Sequence, residues 1–128
     1  MKLSLCSEYA LLTLIHLARN NELISLASLA VTQQVPVESL AEILSVLELS
    51  GFVKQVKGRF GLAKSAGEIP VAEIIRLFDG ALAPLEPVSS KGYAPAPMDA
   101  EEKLSGLFEQ IQTEIVARLE NTSIAELA

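Results

Sequence analysis

The sequence predicts a mainly α-helical protein with a small β-hairpin wing, a winged helix-turn-helix followed by a long C-terminal dimerisation helix. Three observations carry this reading. Two helical hydrophobic patterns, at 25–32 and 37–49, are separated by TQQVP. Ser50-Gly51 then closes the second pattern, and FVKQV switches to strand-like alternation. Beyond a proline-rich stretch, apolar residues recur at threes and fours from Leu104 to Leu119. Residues 1–66 are therefore read as the winged helix-turn-helix. Residues 67–128 are read as a short helix, a loop and the dimerisation helix, and all 128 residues fit one compact domain.

The first helix is expected over 7–19, with Tyr9, Leu12, Ile15 and either Leu11 or Leu14 forming its buried stripe and Arg19-Asn20-Asn21 its stop. Ser25 is an N-cap for the second helix, which buries Leu26, Leu29 and Ala30. Pro36 interrupts the backbone and suits the first turn of the third helix, where Leu40, Ile43, Leu44 and Leu47, with Val46 beside them, face inward. Strands follow near 52–57 and 60–64, with Gly58-Arg59 at the hairpin tip. Pro70 starts a helix over 71–79 that turns Ile74, Ile75 and Phe78 inward, and Gly80 ends it. Residues 80–98 hold four prolines and two glycines and are read as a loop. Tyr93 and Met98 could line a ligand pocket in it or pack on a neighbouring subunit. Asp99 and Glu102 stand at capping-box spacing before the last helix.

A net charge of −6 argues against nucleic acid until its distribution is considered. Residues 1–64 carry six Lys/Arg against five acids, whereas residues 65–128 carry four against eleven. The hairpin, at 54–64, holds Lys54, Lys57, Arg59 and Lys64 and no acid, and a local cationic edge is what phosphate contact uses. The alternative for these residues is a solvated hairpin with no partner. The third helix turns Glu38, Ser39, Ala41, Glu42 and Ser45 outward. Gln33, Gln34 and Val37 lie at its entrance, so Gln33, Gln34, Val37 and Ser39 join the four cations as candidate DNA-binding residues. Arg59 suits a narrow minor groove. The glutamates on that outer face support a competing reading, a protein-interaction module with weak or no DNA binding.

Other classes find little support. The single cysteine, Cys6, allows no disulfide within the chain and no all-cysteine metal site; it is read as a half-buried thiol. His16, among Leu14, Ile15, Leu17 and Ala18, is read as a packed helix residue rather than a base or ligand. No carboxylate pair, activated nucleophile or phosphate-binding glycine loop points to an enzyme. No metal and no cofactor are expected. The longest uncharged segment, 23–37, is too short and too polar to span a membrane, and with no signal peptide read at the start the expected location is cytoplasmic. The last helix presents Leu104, Leu107, Phe108, Ile111, Ile115 and Leu119 as a stripe as long as a small domain is wide, so a two-fold homodimer is expected. Such symmetry matches a palindromic double-stranded DNA operator.

The order of several segments carries a family resemblance: MKLS with Tyr9-Ala10-Leu11, SLASLA, SLAEILSVLELSGFVKQVKG, VAEIIRLFDGALAPLEPV and NTSIAELA. Together they resemble the Rrf2 family of bacterial winged-helix regulators. The resemblance implies a dimeric transcription factor, usually a repressor, with the long helix at its interface. Many relatives hold an iron–sulfur cluster through three cysteines in the loop before that helix. Here 87–99 has none, Pro87 stands about where the first would be, and Glu8 alone cannot replace thiolates. The wing, KGRFGLAK, is also shorter than the family's glycine-rich tip. The expectation is thus a cluster-free DNA-binding regulator whose effector or protein partner the sequence does not name.

Overall fold

A computed structural model describes residues 3–80 and 100–128. Helix α1 (Leu5–Arg19) begins where the Ser4 hydroxyl accepts from the Ser7 amide, two residues earlier than expected. Its buried face is Ser7, Ala10, Thr13, Leu14 and Leu17; of the expected stripe Leu14 is buried and Tyr9 and Ile15 are half-buried against the core, whereas Leu12 is 50% exposed and does not belong to it. The helix is apolar almost all round, so periodicity could not choose a face. Neighbouring helices and a strand packed against α1 chose it.

A two-residue strand, β1 (Ile24–Ser25), leads into α2 (Leu26–Gln33), whose N-cap is Ser25 as expected. Leu29 and Ala30 are buried and Leu26 is half-buried. The chain leaves α2 at Gln34, held in the left-handed region at φ 56°. Pro36 then caps α3 (Val37–Leu49), and Leu40, Ile43, Leu44 and Leu47 face the core while Val46 stays 37% exposed. The C-terminus of α3 is a Schellman motif: Phe52 donates to the Leu47 carbonyl at 2.9 Å, Gly51 donates to that of Glu48 at 3.1 Å, and Gly51 has φ 84°.

The hairpin consists of β2 (Val53–Val56), one residue shorter than expected at each end, and β3 (Arg59–Leu62), which begins one residue earlier and ends two residues earlier than expected. Its tip is Lys57-Gly58 rather than Gly58-Arg59. Both tip residues have positive φ, 52° and 78°, the pattern of a type I′ turn whose twist suits paired strands. Arg59 consequently sits inside β3, opposite Val56. Strand β1 pairs with the other edge of β3, Ile24 against Phe60 and Ser25 against Arg59, completing a three-stranded antiparallel sheet in the order β1-β3-β2.

After a 3-10 turn (Ala66–Glu68), α4 (Val71–Asp79) buries Ile74 and Ile75, and Phe78 is half-buried. Asp79 accepts from the Ser4 amide at 3.2 Å, tying the end of α4 to the start of α1. Partial burial opposes its charge, but the hydroxyl and amide of Ser4 outweigh this and hold the carboxyl below its ordinary range. The loop assigned to 80–98, with Tyr93 and Met98, and the Asp99 cap lie outside the described residues beyond Gly80. The long helix α5 (Glu102–Glu120) is capped by Glu101, whose carboxylate accepts from Lys103. Arg76 of α4 and Glu120 of α5 form an ion pair at 2.6 Å.

A last helix, α6 (Ile124–Leu127), returns to the first half of the chain. Ser123 and Glu126 form a capping box, Ile124 donates to the Ile69 carbonyl, and Val71 donates to that of Thr122. Ile124 is fully buried in the core shared by α1, α3, α4 and the sheet. No described helix is long and apolar enough to cross a membrane.

Removing most of the Ile124 side chain with Ile124→Ala is expected to cost about 2–5 kcal/mol of unfolding free energy in denaturant melts, as for other buried aliphatic truncations. Gly51→Ala should cost about 1–2 kcal/mol through its left-handed backbone alone, because nothing lies within 4 Å of the added methyl. An unchanged melt for either would contradict its assigned role.

Candidate nucleic-acid interface

Helix α3 is the second helix of the helix-turn-helix. With its leucines turned inward, its exposed residues include Val37, Glu38, Glu42, Ser45, Glu48 and Leu49, the last 87% exposed. Across a shallow groove stand Gln55 and Phe60, which share one side of the hairpin because they are register partners. Gln55 therefore joins the polar groups beside α3. The sequence reading left it out, although its alternation with Lys54 along β2 could have signalled it.

The cations are arranged differently. Lys54 pairs with Gly61 and Arg59 with Val56, so Lys54 and Arg59 share the side of the hairpin opposite Gln55. Lys57 projects at the tip, bent there by its own positive φ. Lys64 follows β3, and its Nζ lies 4.7 Å from the centroid of the Phe52 ring, a cation–π contact. Among the described residues none of these four cations is paired with a carboxylate. No described carboxylate therefore offsets the positive charge of the wing.

At the entrance to α3 the candidates separate. Gln34 is exposed and Val37 is 48% exposed, both open to a partner. Gln33 is turned inward: the Thr13 hydroxyl lies 3.0 Å from its Oε1 and 2.8 Å from the Tyr9 carbonyl oxygen, and its Nε2 is buried with no partner. Ser39 is half-buried and lines an apolar groove with Cys6, Tyr9 and Phe78, on the flank of α3 that faces α1. Cys6 itself is exposed, not half-buried as expected.

Residues 3–128 match the model of the Rrf2 family, described as "Iron-dependent Transcriptional regulator". The chain belongs to the Rrf2 family. It is 28% identical to the HTH-type transcriptional regulator CymR of Bacillus subtilis, covering all of this chain and 90% of CymR. To the HTH-type transcriptional regulator IscR of Cereibacter sphaeroides it is 26% identical, covering 99% and 86% respectively. The solved structure of B. subtilis CymR, titled the global cysteine regulator, superposes with a TM-score of 0.81 over 100% of this chain and 96% of that one. This Rrf2 protein is accordingly a winged-helix, DNA-binding transcriptional regulator and not an enzyme.

The family's description names iron, and the donors of this member do not fit it. The whole chain has one cysteine and one histidine, both on α1, and an iron–sulfur cluster is dominated by thiolates. Among the described residues no group of three or more His, Cys, Asp or Glu side chains could hold a metal ion.

Thr13→Val should separate a structural role of Gln33 from a recognition role. It leaves the half-buried amide without its hydroxyl partner, and the expected cost is about 1–3 kcal/mol in a denaturant melt. A neutral result would mean that the amide finds its partner in solvent.

Proposed function

We propose that this Rrf2 protein is a homodimeric repressor that works without an iron–sulfur cluster and binds a palindromic operator. The observation that supports the DNA geometry is the charge of the wing, where Lys54, Lys57 and Arg59 are exposed and have no carboxylate partner among the described residues. In this reading α3 enters the major groove from its N-terminal end, with Gln34 and Val37 leading, and Gln55 approaches from the wing. Lys57 and Arg59, at and beside the tip, meet phosphate or minor groove, and Lys54 and Lys64 add charge behind them. Gln33 and Ser39 are positioned to support α3 from within.

The proposed dimer rests on α5. About 28 Å long, this helix is packed, among the described residues, toward its C-terminal end, where Ile115, Val116 and Leu119 meet the core. Toward its start Leu104, Leu107, Phe108 and Ile111 are 41%, 51%, 43% and 39% exposed. An apolar stripe of this kind fits an isologous contact with the same stripe of a second copy. The acids on the outer face of α3 limit what the helix accepts. A glutamate there repels phosphate and can be satisfied in a groove by a cytosine amino group.

A salt titration of binding to DNA from the protein's own upstream region tests this reading. The logarithmic salt slope is expected to lose about two units per dimer for Lys57→Ala, one for each phosphate contact removed, with sequence preference retained. Leu107→Glu with Phe108→Glu should convert the dimer to a monomer in sedimentation and abolish high-affinity binding. Binding that ignores DNA sequence, salt and both variants would exclude the repressor reading in favour of a protein-interaction module.

A further inference from the structure

The side of the hairpin turned away from α3 borders an open groove of about 440 Å³ that runs to the end of α1. That volume is within the range of sites for small ligands. Leu17, Ala18, Leu23 and Leu62 give it an apolar wall, and Lys54 and Lys64 stand along it. Gly61 shapes the bottom. A Cβ at this position would lie 2.6 Å from Leu23 Cδ2 and 3.9 Å from Lys54 Cε. The bare backbone lets the Leu23 side chain pack down onto it, with the Lys54 stem at ordinary contact distance beside it. Lys64 is steadied by its place over the Phe52 ring, and neither ammonium has a carboxylate partner among the described residues. Glu22 is the one acid lining the groove, so cations outnumber acids two to one.

We infer that this groove binds a small amphipathic carboxylate, with the tail against Leu17, Leu23 and Leu62 and the carboxylate reaching Lys54 and Lys64. A bare anion would gain little from exposed lysines, whose individual ion pairs are weak in water and screened by salt. An uncharged hydrophobe would cover the wall and leave the two cations unused. A molecule with both parts uses the apolar area and the charge together. The regulatory consequence rests on the DNA reading above: Lys54 belongs to the cationic wing, so a carboxylate bound beside it neutralises charge that DNA would otherwise use. The binding itself does not depend on that reading.

Octanoate is the probe, with 1-octanol as the uncharged control, titrated into the full chain without DNA and followed by methyl resonances. Octanoate should shift the methyl signals of Ala18, Leu23 and Leu62. Lys54→Gln/Lys64→Gln should weaken octanoate at least fivefold and leave octanol unchanged. Ala18→Phe, which fills the groove and keeps both lysines, should abolish the shifts, with circular dichroism confirming that it is folded. Octanoate shifts confined to Leu104 and Leu107 of α5, or equal affinity for the wild type and the double lysine variant, would overturn the site. In a second arm, saturating octanoate is expected to weaken operator binding at least threefold relative to octanol. Groove binding without that loss would sustain the site and overturn its link to DNA. Absence of DNA affinity under all conditions would instead overturn the repressor reading and leave the groove result standing.

Discussion

The face of α1 that carries Ser7, Ala10, Leu14 and Leu17 is the constraint on which the rest of the molecule depends. Helices α2, α3, α4 and α6 and strand β3 all lie against α1. Ser7 and Ala10 are buried at its start and Leu14 and Leu17 further along. The same arrangement places the C-terminal α6 beside the first helix, where Ile124 joins the central core and Arg19 donates to the Leu127 carbonyl. The long α5 is therefore anchored at both its ion pair with α4 and the return through α6.

Around that centre, three backbone positions set the geometry of the recognition elements. Gln34 turns the chain between α2 and α3, Gly51 ends α3, and Lys57-Gly58 folds the hairpin, all at positive φ. Two of these are not glycine, and a residue with a side chain is strained in that region. At Gln34 the turn is held by its own amide bond to the end of α2 and by Val35, whose amide donates to the Ala30 carbonyl while its side chain is buried. At Lys57 the type I′ geometry does the equivalent work, placing a cation at the furthest point of the wing.

Charge is distributed to match these shapes. The chain as a whole is acidic, yet its hairpin is cationic and without internal ion pairs among the described residues, while the neighbouring α3 shows Glu38, Glu42 and Glu48 to solvent. In the proposed DNA reading, a wing of this sign supplies attraction that does not depend on sequence, and the acidic helix supplies selection by penalising most of what it meets, so that affinity and discrimination would reside on different elements.

Sequence alone determined the features whose causes are local. The limits of α2 and α3 follow from Ser25, Pro36 and the Ser50-Gly51 stop, and the inward face of α3 follows from its leucine spacing. The family was legible from the order of short segments along the chain, and the cationic wing from a run of four bases without an acid. Tertiary structure alone decided the rest. Strand β1 is two residues long and exists only because β3 offers it an edge. The buried face of α1 was chosen by its neighbours, since nearly every face was apolar. Gln33 looked like an exposed reader until Thr13 came opposite it from another helix. The stripe of α5 is continuous in sequence, yet the core takes Ile115 and Leu119 and leaves Leu104 to Ile111 uncovered. In each case the deciding partner lies far along the chain, and short-range periodicity carries no information about which distant surface arrives.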